Sequence, residues 1–124
     1  MRGPTAIFET WDIVRVPFPY TDRPVRQRRP ALVVSAEALQ AGHGLLWLVM
    51  ITSAENRGWP GDVAISDLDE AGLPAPSIVR PAKIATIEVR DAERLGVLPA
   101  SDRGAVAAYL ADRFGAVLKS AAAT

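Results

Sequence analysis

The sequence predicts a mainly β, α+β domain: a small, strongly curved antiparallel sheet or barrel closed by a C-terminal helix. Three observations lead there. Short apolar runs of strand length recur along the chain, separated by breaks that carry proline and glycine. No helical pattern alternates with them, so parallel β–α–β units are not expected. One helical periodicity stands at the end of the chain. With 124 residues and 49% hydrophobic content, the expectation is a single domain over residues 1–124, with 1–10 and 120–124 as loose termini.

The elements follow in order. Asp12–Pro17 (DIVRVP) alternates and reads as a first strand. Pro17 and Pro19 end it, because proline cannot donate to a sheet ladder. Tyr20–Arg29 has the polar, proline-bearing character of a loop. Ala31–Ser35 (ALVVS) is a continuous apolar run of the kind found in buried strands. Ala36–Ala41 has room for one helical turn before Gly42-His43-Gly44. Leu45–Thr52 (LLWLVMIT) is the most apolar segment and is expected at the centre of the sheet. Asn56–Gly61 is rich in breakers, Asp62–Ser66 reads as a strand, and Asp69–Pro76 reads as a loop with two prolines. Ser77–Arg80 and Ala82–Val89 read as strands on either side of Pro81. After Pro99, Ser101 or Asp102 is placed to cap a closing helix. In it Val106, Leu110, Phe114 and Leu118 recur every four residues and mark one apolar face.

Fourteen basic and fourteen acidic residues leave no net charge. That balance argues against nonspecific coating of nucleic acid and leaves a local basic patch open, because binding follows charge distribution. The chain has no cysteine, which excludes disulfides and thiolate metal sites. Met1–Phe8 is not followed by a signal-like apolar stretch, and Leu45–Ile51 is too short to span a bilayer. A cytoplasmic protein with no membrane contact is expected.

The one positive focus is the loop YTDRPVRQRR, with Arg23, Arg26, Arg28 and Arg29. Guanidinium groups bind phosphate bidentately and stack on bases. The loop is therefore either a phosphate contact or a solvated basic segment. Arg29 directly precedes Pro30, which holds its backbone extended. It is either a rigidly placed functional side chain or the ion-pair partner of an acid such as Asp12 or Asp62. Thr52 and Ser53 end the most apolar strand, where their hydroxyls either donate to a phosphate oxygen or satisfy the following turn. Arg80 and Lys83 put cations at a strand interruption, Lys83 reading more as surface charge. His43, the single histidine, lies between two glycines with no acid or nucleophile beside it and reads as an ordinary loop residue. No His/Asp/Glu group has ligand spacing. Asp67, Asp69 and Glu70 lack the rest of a calcium loop, and no phosphate-binding glycine loop or hydrolase elbow occurs. No metal and no cofactor is expected.

Four segments together, WDIVRVPFPYTD, RRPALVVSAE, VMITSAEN and AGLPAPSIVRPAKIATI, resemble the MazF/PemK family of toxin ribonucleases, the last segment its PemK-like branch. The likeness runs roughly from Trp11 to Val89. It implies a small SH3-like barrel of the CcdB/MazF/PemK type with a C-terminal helix, assembled as a homodimer. It implies metal-independent, sequence-selective cleavage of single-stranded RNA, and a cognate antitoxin as partner. By this likeness Arg29 and Thr52 match catalytic residues. Ser53 is a neighbouring phosphate contact, Arg80 matches an arginine implicated in some PemK-like members, and Arg26, Arg28 and Lys83 join the RNA-binding set.

Three departures stand out. Trp11 occupies a position where glycine often precedes the aspartate, read as a packing change. No carboxylate lies between Asp22 and Arg29, and Ala82 stands two after Arg80 where some members carry an acid. Two other readings use the same architecture. A gyrase-poisoning toxin of this fold engages its target through the end of the C-terminal helix, and the ending Lys119-Ser-Ala-Ala-Ala-Thr has no aromatic anchor for that. A non-catalytic SH3-like binding module would show an exposed aromatic groove.

Overall fold

A computed structural model describes residues 7–18 and 27–122. Six strands form one antiparallel, curled half-barrel sheet in the order β4-β5-β3-β2-β1-β6. The strands are β1 (Asp12–Val16), β2 (Arg29–Val33), β3 (Leu45–Ser53), β4 (Val63–Ala64), β5 (Ser77–Glu88) and β6 (Glu93–Val97). Helix α1 (Glu37–His43) links β2 to β3, the four-residue α2 (Leu68–Ala71) precedes β5, and α3 (Ala100–Ala122) closes the chain.

The apolar runs are continuous because both faces of the central strands are covered. On one face Val14, Val16, Ala31, Val33, Leu46, Leu48 and Met50 pack with Phe8, Ile87 and Val89. On the other, Ile13, Leu32, Val49 and Ile51 pack with Ile65, Leu73, Val79, Leu98 and Val106. Residues one apart along a strand point to opposite faces, so β3 must be apolar at every position between Leu46 and Ile51, Trp47 excepted. Full burial of each such side chain contributes about 1.5–3 kcal/mol.

Ser77–Glu88 is one strand, not two. Its pairing with β3 jumps from Val49↔Ile84 to Met50↔Arg80, so Pro81-Ala82-Lys83 bulges out of the ladder. A bulge is where a strand tolerates a residue without an N–H. The sixth strand is β6, which pairs with β1 and whose half-charged sequence ERLGV hid it. Asp62–Ser66 shrinks to the two residues of β4. Helix α2 runs into the segment Asp69–Pro76 expected to be loop, and Asp67 caps it by accepting from the Glu70 N–H at 3.2 Å. His43 ends α1 and does not lie in a loop.

Trp11 is more than a packing change. Its φ is 80°, in the left-handed region where glycine alone is unstrained. Its N–H donates to Val33 O at 2.9 Å and its carbonyl accepts from Leu98 N at 2.8 Å. These two bonds hold β1 between its neighbours despite the strain.

Asp102 does not cap its own helix. Its carboxylate accepts from Ser66 N at 2.8 Å and Ser66 Oγ at 3.0 Å, tying the start of α3 to the end of β4. The expected apolar face of α3 is buried only at its start. Val106 is buried and Leu110 half-buried, but Phe114 is 53% exposed and Leu118 70%.

Gly72 ends α2 with φ 73°, and a Cβ there would collide with the backbone carbonyl of Leu95. Gly72→Ala is expected to destabilise the protein by more than about 2 kcal/mol, combining left-handed strain with a backbone clash. Urea unfolding of the two proteins checks it.

Candidate functional site

The ends of β2 and β3 lie side by side. Their register pairs Ala31 with Met50, Leu32 with Val49 and Val33 with Leu48. Carried two residues further, it sets Arg29 across from Thr52. There a cleft of about 290 Å³ opens between these strand ends and the α2–β5 connection. Arg15, Arg28 and Arg29 bring guanidinium groups to it, and Thr52, Ser53 and Ser77 bring hydroxyls. Leu73, Pro74 and Pro76 supply an apolar wall, stiffened by two fixed φ angles.

Each polar group is held from behind. Arg28 Nη2 donates to the carbonyls of Arg15 and Asp91, both at 3.1 Å. Arg29 Nη2 donates to Gln27 Oε1 at 2.6 Å. The acids suggested as partners for Arg29 belong to other arginines: Asp12 pairs with Arg94 at 2.6 Å and Asp62 with Arg80 at 3.0 Å. Ser53 Oγ accepts from Glu55 N at 3.2 Å and caps the short 3₁₀ turn Ala54–Asn56. Thr52 Oγ1 accepts from Asn56 Nδ2 at 3.0 Å. Among the described residues no carboxylate or histidine lines the cleft, and no group of three metal-ligating side chains occurs. Arg26, with Arg23 and Asp22, lies outside the described residues.

Arg80 and Lys83 stand apart from this cleft. The Arg80 side chain is 6% exposed. Its Nε and Nη2 donate to the two Asp62 oxygens at 3.0 Å each, and Nη2 also donates to the Asn56 carbonyl at 2.6 Å. Its guanidinium lies 4.4 Å from the centre of the Trp59 ring, and Lys83 Nζ lies 5.5 Å from the same ring. Cation–π contacts of this kind suit a weakly hydrated guanidinium. Asn56 and Arg15 carry no signal in the sequence, which offers Asp62 only as a partner for Arg29. Asp62 is 18 residues from Arg80, and only the β3–β5 register brings them together.

Burial opposes the charge on Asp62. The hydrogen bond from Arg80, those from the Trp59 and Gly58 N–H groups, and the Arg80 charge outweigh it. They hold the carboxyl below its ordinary value of about 3.9.

The PemK-like, MazF-like toxins of type II toxin–antitoxin systems share a sequence pattern that matches residues 9–114. The chain belongs to that family. In solved structures, a chain of the MazE–MazF complex from Deinococcus radiodurans is 27% identical, with a TM-score of 0.68 over 89% of this chain and 97% of that one. Free MazF from the same organism is 26% identical, with a TM-score of 0.71 over 89% and 98%. A MazF toxin of Mycobacterium tuberculosis is 25% identical, with a TM-score of 0.65 over 84% and 96%. No curated protein matches the chain in sequence. The half-barrel and closing helix of this MazF-like toxin are those of the family.

In the toxin the Arg80–Asp62 pair is buried, so removing one partner strands the other. Asp62→Ala is expected to cost about 3–5 kcal/mol at neutral pH. The lowered carboxyl value gives the pH sense: the pair's contribution is present above the unfolded-state value and is lost as pH falls through the folded-state value. Asp62→Asn should therefore show a weaker loss of stability on acidification below about pH 4 than the parent protein. Urea midpoints across pH measure both.

Proposed function

We propose that this toxin is a sequence-selective endoribonuclease that cleaves single-stranded RNA without a metal or cofactor. In this reading it is a cytoplasmic homodimer whose activity a cognate antitoxin blocks. The observation that carries it is the meeting of Arg29 and Thr52 at one cleft, from the ends of adjacent strands. These are the residues the family resemblance marks as catalytic.

The geometry suits phosphoryl chemistry. The ribose 2′-oxygen attacks the adjacent phosphorus, the P–O5′ bond breaks, and a 2′,3′-cyclic phosphate and a 5′-hydroxyl result. The 2′ proton passes to solvent and the departing O5′ takes one up. Negative charge accumulates on the phosphorane oxygens, where preplaced donors stabilise it most. Arg29 and the Thr52 hydroxyl act as those donors, with Ser53 beside them. Arginine stays protonated, its pKa lying above about 12, so its role is to donate. Arg28 and Arg26 hold flanking phosphates, and the Leu73–Pro76 wall takes an apolar base face. Lys83 lies beside Trp59 and extends the positive surface beyond the cleft, while the Arg80 charge is taken up by Asp62.

MazE–MazF complexes are among the similar structures, which supports an antitoxin as partner. Among the described residues no helix is long and apolar enough to cross a membrane. The homodimer reading draws on the unpartnered part of α3. A groove lined by Trp47, Ile84, Leu110 and Phe114 adjoins the exposed Val117 and Leu118. A groove and an apolar ridge on one surface satisfy each other in a two-fold pair. Phe114→Asp is expected to shift the protein to monomer while its far-ultraviolet circular dichroism stays unchanged. Light scattering after size exclusion measures the mass, and an unchanged dimer would move the interface elsewhere.

The cleavage test uses a long single-stranded RNA in EDTA with purified toxin, and maps fragment ends. Discrete cuts are expected, lost by at least about a hundredfold in rate in Arg29→Ala and Thr52→Ala. Full activity in a folded Arg29→Ala protein would sink the site assignment. Intact RNA with the antitoxin-free dimer would sink the activity.

A further inference from the structure

We propose that Asn56 is a positioning residue that turns the Thr52 hydroxyl proton toward the cleft, and that the buried Arg80–Asp62 pair holds Asn56 in place. The proposal rests on the ribonuclease reading above and names the groups that make its hydroxyl a donor.

A hydroxyl has one proton and two acceptor lone pairs. Asn56 Nδ2 donates to Thr52 Oγ1 at 3.0 Å, so the amide occupies a lone pair and the proton must point elsewhere. Among the described residues no acceptor takes that proton. Thr52 lines the cleft, which leaves its O–H available to a phosphate oxygen there. Without Asn56, the hydroxyl is free to turn and to donate to water. With its Nδ2 turned to Thr52, the amide sets the sense of the hydrogen bond, whereas a carboxylate, which has no proton to give, would reverse it.

Asn56 can do this only if its backbone is fixed. It ends a 3₁₀ turn capped at its start by Ser53 Oγ. Arg80 Nη2 donates to its carbonyl at 2.6 Å. Arg80 is in turn locked by both Asp62 oxygens at 3.0 Å. Asp62 Oδ2 accepts from Gly58 N at 3.2 Å and Trp59 N at 3.0 Å. The segment from Asn56 to Asp62 thus closes around one buried ion pair. Arg80, buried, with Nε and Nη2 committed inside this loop, acts on the site through Asn56, not by touching RNA.

Preorganised donors need no reorientation when charge develops, which is the source of their effect. Losing the orientation of a donor should cost less than losing the donor. Asn56→Ala is expected to slow cleavage of bound RNA by about tenfold, against roughly a hundredfold for Thr52→Ala. Asn56→Asp keeps the side-chain shape and draws the Thr52 proton to itself, so it should be slower than Asn56→Ala.

The experiment is single-turnover cleavage at saturating enzyme, with wild-type toxin, Asn56→Ala, Asn56→Asp and Arg80→Lys. Binding to the same RNA carrying a 2′-O-methyl group at the cut ribose is measured in parallel, which separates charge repulsion from the cleavage step. Thermal midpoints report structural damage. The expected result is the rate order wild type, Asn56→Ala, Asn56→Asp, with the affinity and midpoint of Asn56→Ala close to wild type. Arg80→Lys, which cannot hold Asp62 and the Asn56 carbonyl together, should slow bound-RNA cleavage like Asn56→Ala, and combining the two should add no further rate loss. An Asn56→Ala rate equal to wild type would overturn the proposal, as would Asn56→Asp cleaving faster than Asn56→Ala. If wild-type toxin leaves RNA intact, the ribonuclease reading falls and the proposal with it.

Discussion

Burial of β3 on both faces is the constraint on which the rest of this structure depends. Leu46, Leu48 and Met50 pack into one layer and Val49 and Ile51 into the other, so the strand can carry nothing polar until it leaves the core. It leaves at Thr52. Past the buried run Leu48–Ile51, the first hydroxyl on β3 is also where that run reaches solvent, and β2 reaches the same boundary at Arg29. The candidate site is the rim of the core. Its side chains inherit rigidity from strands whose inner residues have no freedom to shift, which suits chemistry that depends on donor placement.

Charge is distributed by the same logic. In a chain of zero net charge, the described lining of the cleft holds arginines and no carboxylate, and three buried or nearly buried acids are engaged elsewhere. Asp12 is drawn to Arg94 and Asp62 to Arg80, while Asp102 is used by Ser66. Arg15, Arg28 and Arg29 then face the cleft with no carboxylate among its described lining residues. The exposed pair Arg15–Glu93 at 3.4 Å is too solvated to offset much of that field. The buried acids and the cleft arginines are thus complementary parts of one arrangement.

Much of this was legible in the residues. Asp12–Val16, Ala31–Val33 and Leu45–Thr52 announce themselves by period and apolarity, because packing against a sheet face demands those side chains. Arg29 and Thr52 could be singled out because each abuts such a run. Other features were not legible. β6 is too charged to show a strand pattern, and it forms because β1 has a free edge. Pro81 looks like a terminator and proves to sit in a bulge, since only the facing strand decides whether its missing N–H matters. Trp11 reads as a packing change, although the family's frequent glycine there points to the positive φ it adopts. Phe114 and Leu118 follow the helical period yet stay exposed, because periodicity reports that a face wants burial and not what buries it.

The sequence by itself determined the fold class, the central strands and the two strand-end residues of the cleft, since local pattern and core burial are properties of consecutive residues. Only the tertiary structure decided that Arg80 is enclosed by Asp62, that Asn56 rather than another residue meets the Thr52 hydroxyl, and that Asp12 and Asp62 pair with Arg94 and Arg80 rather than with Arg29. Those outcomes depend on strand register, which juxtaposes residues far apart in the chain through backbone hydrogen bonds common to all sequences.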